Sequence, residues 1–263
     1  MAGQFLSRQE PFAVVGSTND VVRGWLAEGT QEVALGVADE QAQGRGREGR
    51  SWTAPRGAGL LLSLGFRPTW LAPDRAWRIA ATASLAMAEA AEAITDLPNG
   101  TIRLKWPNDL VIDAPEGWLK LGGVLGETEG LGTGDPRVVV GMGINADWAK
   151  AEFPADIAAG MTSLREASEG HRTTPDDLLN AFLPRLETGI DALRAGVFLA
   201  GEWQARQATT GREVRLELPN GAPEEVLAIG VDPDTGALVL EDGRRVLSAE
   251  VRHVRAAPLA ARV

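Results

Sequence analysis

Hydrophobic and polar positions recur along this chain with two different periods, and the changes of period outline its elements. After Ser17-Thr18-Asn19-Asp20, polar residues able to cap a helix, Val21, Val22, Trp25 and Leu26 recur at helical spacing until Gly29 stops them. Val33 to Ala38 reads as a buried strand, and Leu60, Leu62 and Leu64 alternating with Leu61, Ser63 and Gly65 read as another. Pro73-Asp74 opens an alanine-rich helix through Ile94, with Trp77, Ala80, Ala81, Ser84, Leu85 and Ala88 on a face suited to close packing on a sheet. Ile102 to Trp106, Leu110 to Ile112, Leu119 to Leu125 and Val138 to Val140 are short apolar runs separated by Pro, Asn, Asp and Gly, as adjacent strands of one mixed sheet would be. Gly130 to Gly134 reads as a flexible connection.

Residues 175–194 and 196–208 predict two helices, the first interrupted at Pro184. Near Thr210 the texture changes. Val214, Leu216 and Leu218, then Val226 to Val231, Ala237 to Leu240 and Val246-Leu247 predict short strands. The turns between them are Pro219-Asn220-Gly221, Asp234-Thr235-Gly236 and Glu241-Asp242-Gly243. The expected fold is α+β: a mixed β-sheet packed with helices over residues 1–208, then a small β barrel over residues 209–263.

Composition narrows the chemistry. With 263 residues, 44% of them hydrophobic, the chain can bury a core without covalent staples. Its 36 acidic and 26 basic residues give a formal charge of -10, which argues against broad binding to nucleic acid or anionic membrane. The absence of cysteine excludes disulfide and thiolate chemistry, and His171 and His253, the only histidines, lack metal-ligand spacing and are expected at the surface. No basic segment followed by an apolar run opens the sequence, and no stretch of about 18 apolar residues occurs, so a cytoplasmic location is expected.

Against this acidic background residues 44 to 50 read Gly-Arg-Gly-Arg-Glu-Gly-Arg, on the connection between two predicted strands. Glycine lets backbone N–H groups turn toward a ligand, and arginine adds planar forks that match carboxylate and phosphate oxygens. The segment therefore predicts a small, multiply charged ligand. Gly44, Gly46 and Gly49 also fit G-x-G-x-x-G, but the helix and the later acidic residue of a dinucleotide site do not follow. Lys120, in an apolar strand flanked by glycine, is costly unless it meets an anion; a solvated strand edge is the alternative. Lys105 and Trp106 read equally well as support for the sheet, and Ser17 to Asn19 alone read as helix caps.

Five elements belong together by order and spacing: Ser17-Thr18-Asn19; Gln41 with Gly44 to Arg50 and Trp52; Lys105-Trp106-Pro107-Asn108-Asp109; Lys120-Leu121-Gly122-Gly123 running on to Glu127; and Gly141-Met142-Gly143-Ile144-Asn145. Together they resemble the catalytic domain of biotin protein ligases in the short form that lacks an N-terminal DNA-binding domain. The tail is similar to that family's small C-terminal SH3-like β barrel. The resemblance implies the class II synthetase-like, biotin-lipoate ligase fold and a two-step reaction. Biotin's carboxylate attacks the α-phosphate of ATP, giving biotinyl-5′-AMP and pyrophosphate; a lysine of a carrier protein then takes the acyl group and releases AMP. It also implies Mg²⁺ and a biotin carboxyl carrier domain of acetyl-CoA carboxylase or a related carboxylase as partner; the acidic charge argues against a DNA or membrane partner, and the sequence leaves monomer or homodimer open.

By the same resemblance, Ser17, Thr18, Asn19 and the amide of Gln41 contact the head and body of biotin, and Gly122 and Gly123 let the backbone approach it. Gly44, Gly46 and the side chains of Arg45 and Arg47 grip the biotin carboxylate and later the adenylate phosphate. Lys120 stabilises the charge that develops at the reacting oxygens, with Arg45 and Arg47 as its catalytic companions. Arg50, Trp52, Asn108, Asp109, Lys120 and Asn145 form the nucleotide neighbourhood, with Asp109 as metal ligand. The pattern departs at Glu48, where the family more often has a basic or neutral residue. The loop from about Gln43 to Arg56 is expected to be mobile until ligands neutralise its arginines. The rival readings are a lipoate-type ligase, a non-catalytic biotin-binding protein, and a biotin-responsive repressor, for whose helix-turn-helix the 16 residues before Ser17 are too few.

Overall fold

A computed structural model describes residues 5–115, 117–217, 222–247 and 253–256, the last four by backbone alone. Leu218, the expected Pro219-Asn220-Gly221 turn and the side chain of His253 lie outside the described residues.

Strands β1 (Arg8–Phe12), β2 (Ala34–Ala38), β3 (Gly59–Phe66), β4 (Ile102–Lys105), β5 (Asp109–Ala114), β6 (Gly117–Glu129) and β7 (Arg137–Asn145) form one sheet in the order β1-β2-β3-β7-β6-β5-β4. Only β1 and β2 run parallel; every other neighbour is antiparallel. The hydrophobic pattern does not announce β1, whose sequence Arg-Gln-Glu-Pro-Phe is half polar and contains proline. An edge position explains it, because an edge strand leaves one side of its backbone unpaired and tolerates proline there.

The helices are α1 (Thr18–Ala27), α2 (Trp77–Ile94), α3 (Leu164–Ala167), α4 (Pro175–Arg194) and α5 (Ala200–Ala205). Strand alternation gives the sheet two apolar faces. Ala34 and Val139 project toward Val22, Trp25 and Leu26 of α1, whereas Leu35, Leu62, Leu64, Val138 and Val140 join α2 and α4 in the main core. The alanines of α2 permit its close packing against α4 and the sheet.

Two helix expectations need correction. The helix does not stop at Pro184: α4 runs through it. Pro184 and Asn180, whose carbonyl loses its helical partner, are both exposed, so water can satisfy that group while Leu178, Phe182, Leu186 and Ile190 hold the buried face. The expected helix over 196–208 contracts to α5. Beyond it, Leu104 N–H donates to the Arg206 carbonyl and Ala208 N–H to the Leu104 carbonyl, so this segment pairs along β4 instead of continuing the helix.

Strands β8 (Arg212–Glu217), β9 (Glu224–Val231), β10 (Leu238–Leu240), β11 (Arg245–Val246) and β12 (His253–Ala256) form an antiparallel sheet ordered β11-β10-β9-β8-β12. The expected small β unit is present as this five-stranded sheet; among the described residues no pairing joins β11 to β12. Its inward residues Val214, Leu216, Ala228, Val231, Leu238 and Leu240 belong to the same apolar cluster as the seven-stranded sheet. The Trp106 indole N–H donates to the Gly236 carbonyl at 2.9 Å, and Arg78 donates to the Pro233 carbonyl at 2.9 Å. No helix among the described residues is long and apolar enough to cross a membrane.

Candidate active site

The N-terminus of α1 lies on the sheet face that it shares with β7 and β6, and the polar residues there are knitted together. Ser17 occupies the cap position in extended geometry, yet its side chain makes no cap hydrogen bond. Thr18 and Asn19 are buried, so their polar atoms require partners. Thr18 donates from its N–H and its hydroxyl to Gln41 Oε1 at 2.8 and 3.1 Å. The Ser63 hydroxyl lies 2.7 Å from the Thr18 hydroxyl and 2.5 Å from Asn19 Oδ1, and Asn19 Nδ2 donates to Glu127 at 2.7 Å. Gly141 makes this possible, because a Cβ there would strike the Asn19 amide.

The glycine-arginine loop folds as a hairpin. Trp52 N–H donates to the Gly44 carbonyl at 2.9 Å and Gly46 N–H to the Arg50 carbonyl at 2.7 Å, around a short 3-10 turn at Arg47–Gly49. Glu48, the departure from the family pattern, sits in the left-handed region at φ 56°. Trp52 reaches inward so closely over Gly143 that any β-carbon there would meet its ring. The Lys120 ammonium lies 5.4 Å from the same ring, within cation–π range, and the Trp52 indole N–H is buried without a partner.

Lys120 owes its direction to a β-bulge. Leu110 pairs with Gly122 but Val111 pairs with Lys120, so Leu121 is an extra residue and Lys120 emerges on the same face as Gly123. There its Nζ lies 2.6 Å from Asp109 Oδ1, while Lys105 Nζ meets Asp109 Oδ2 at 3.1 Å. Burial pushes the Asp109 carboxyl up, but Lys105 and Lys120 more than offset that and hold it below the ordinary carboxylate range. The two loop arginines are in opposite states. Burial, with Arg50 adding to it, holds Arg47 below the usual guanidinium value despite Glu48 and Asp109. Arg45 is raised: burial opposes its charge, yet hydrogen bonds and the fields of Asp20 and Glu127 prevail.

One cavity is lined together by Ser17, Thr18, Asn19, Gln41, Arg45, Gly46, Arg47, Arg50, Trp52, Asn108, Lys120 and Gly123. Asp109 borders a second, wider cavity of about 780 Å³, which runs from the arginine loop past Lys105 to α2 and Gly236. Gly44 and Asn145 line neither. Gly44 serves the hairpin, where a Cβ would strike the Trp52 carbonyl. Asn145 is 0% exposed, donates to the Thr162 carbonyl at 2.9 Å and leaves Oδ1 without a partner. Gly122 is likewise required by packing, since a Cβ would crowd Ile144 and the Gly143 carbonyl of β7. The Asn108 amide donates to the Val124 carbonyl at 2.9 Å, tying its turn to β6.

Asp109 does not fit the metal role. Both its oxygens face ammonium groups, which repel a cation, and among the described residues no three acidic or histidine side chains gather to hold one. Sequence reasoning missed Asp20, Arg23 and Ser63. Ser63 had a signal, as the one polar residue within the run Leu60 to Phe66.

Residues 12–145 match the biotin/lipoate A/B protein ligase family. The chain belongs to this family. Among the ligases it resembles is the biotin–[acetyl-CoA-carboxylase] ligase of Mycobacterium tuberculosis, 33% identical over 259 residues that cover 97% of this chain and 92% of that protein. The corresponding ligase of Paracoccus denitrificans is 31% identical, over 85% of this chain and 91% of its own length. In fold, this member of the ligase family is similar to the biotin protein ligase of Aquifex aeolicus in complex with biotin and ATP, with a TM-score of 0.77 and 27% identity, over 95% of this chain and 99% of that one.

Proposed function

We propose that this chain is an ATP-dependent biotin protein ligase, which activates biotin as biotinyl-5′-AMP and transfers it to a lysine of a carboxylase carrier domain. The observation that carries the reading is one cavity in which Arg47 and Lys120 meet the neutral hydrogen-bonding cluster of Ser17, Thr18, Asn19 and Gln41. That combination suits a ligand with a polar uncharged head and an acid at its other end. Relatives over nearly the whole chain that are named as biotin ligases support the same conclusion.

The chemistry follows from charge. A carboxylate about 4 Å from a phosphate oxygen is repelled by roughly 4 kcal/mol at an effective dielectric near 20. In this reading Arg47 faces that charge from the loop and Lys120 from the sheet, with Asp109 holding the Lys120 ammonium in place for both acyl formation and acyl transfer. Gln41 Oε1 is taken up by Thr18, which leaves Nε2 as the donor end of its amide toward the vitamin head. Trp52 covers the site and keeps water from the mixed anhydride.

The proposal includes residues 1–208 as the catalytic unit, residues 209–263 as a β unit that borders the wider cavity, and a cytoplasmic setting where carboxylase carriers are made. Purified protein incubated with ATP, Mg²⁺, biotin and a carrier fragment should yield carrier heavier by one biotinyl group in mass spectrometry. ATP–pyrophosphate exchange should depend on biotin; dependence on lipoate instead would establish the lipoate-type alternative.

A further inference from the structure

Arg45, which lines both cavities, belongs to a cluster of four alternating charges contributed by three separate elements. From the loop, Arg45 presents one guanidinium nitrogen to both oxygens of Asp20 at 2.8 Å and the other to Glu127 at 3.2 and 3.3 Å. Asp20 belongs to the first turn of α1 and Glu127 to β6. Arg23, one helical turn after Asp20, pairs with Asp20 and lies 3.5 Å from Glu127. The acid Glu127 is itself anchored by Asn19. Two arginines thus balance two carboxylates, and both terminal nitrogens of Arg45 are engaged by protein acids.

We propose that Arg45 is a positioning residue, a latch that fastens the arginine loop beside the cavity through Asp20 and Glu127, and not a ligand of the biotin carboxylate. This rests on the biotin ligase reading and replaces the substrate-gripping role that the sequence suggests for Arg45. The geometry separates the duties of the loop. Arg45 pairs with Ser51 across the hairpin, so fixing its side chain fixes the strand that carries Trp52 into the site. Arg47 lies beyond it in the 3-10 turn and lines the same cavity as Lys120. A closed loop delays escape of the acyl-adenylate and excludes water, so the latch acts on retention of the intermediate more than on its formation.

The test compares wild type, Arg45→Ala, and the doubly substituted Asp20→Asn/Glu127→Gln protein, which keeps Arg45 but removes its partners. Each is given ATP and biotin without carrier. The initial burst of pyrophosphate is measured, and free biotinyl-adenylate passing an ultrafiltration membrane is quantified by chromatography. In both variants adenylate should escape about tenfold faster, a change of ~1.4 kcal/mol, appropriate to the loss of a bidentate pair within a charge network at a partly exposed site. Amide exchange over residues 44–52 should accelerate in both. The inference is overturned if the acid-removed protein retains adenylate as wild type does, or if Arg45→Ala raises the KM for biotin and abolishes the burst while the acid-removed protein keeps it. Absence of any biotin-dependent burst in wild type would instead refute the functional reading.

Discussion

Lys120 and Asp109 sit on neighbouring strands with 2.6 Å between ammonium and carboxylate, and only the bulge at Leu121 brings the lysine to that side of the sheet. The carboxylate also holds Lys105, so one negative charge organises two positive ones.

Replacing Asp109 with asparagine should leave two ammonium groups facing each other without their counter-charge. The expected cost is roughly 2–4 kcal/mol of stability, since removing one partner from a mostly buried charge cluster strands the others. Adenylate formation should fall about tenfold or more as Lys120 loses its fixed position. Urea unfolding and single-turnover pyrophosphate release read the two effects; a variant with unaltered values in both would refute the positioning role.

The same carboxylate makes an acid-dependent contribution to stability. Its folded pKa lies below the unfolded value of about 3.9, so the stabilisation is complete above that value and disappears as pH falls through the lower, folded one. Thermal melts between neutral and acidic pH should therefore show a smaller acid-induced decrease for Asp109→Asn than for wild type. Identical slopes would contradict the assignment.

Gly143→Ala should expel the Trp52 ring from its place beside Lys120, because the added methyl group occupies the ring's position. Overpacking of this kind costs about 1–3 kcal/mol. Adding Trp52→Ala should recover most of that loss while leaving biotin-dependent exchange impaired. A double-mutant cycle with no coupling between the two positions would show that the contact has no energetic weight.

Glu48→Gly should be neutral or stabilising by up to ~1 kcal/mol, since glycine adopts the left-handed geometry without the β-carbon penalty, and its greater freedom when unfolded offsets part of the gain. Thermal denaturation is sufficient to check it. Destabilisation beyond about half a kcal/mol would mean that the Glu48 side chain contributes something the backbone does not show.

Much of this arrangement is legible in the sequence because period and composition are local properties. The leucines of β3 and the alanines of α2 mark their elements in advance, and the order of the polar motifs identifies the residues that share the cavity. What is hidden depends on neighbours distant in the chain. β1 is unreadable because it is a strand only by pairing with β2. The direction of Lys120 depends on a bulge that spacing alone does not reveal. The arginines looked alike in sequence, yet Asp20 and Glu127, 25 and 82 residues from Arg45, give it a different task from Arg47. Pro184 misled because its effect depends on which side of the helix meets water.

The tail's Val214, Leu216 and Leu238 belong to one contiguous apolar cluster with Ile79 and Phe182 of the main body. Melting should therefore be a single event, with no temperature at which one part survives the other. Evolution, too, is constrained by that shared interior: a tail grafted from a distant relative would bring side chains shaped for someone else's helix.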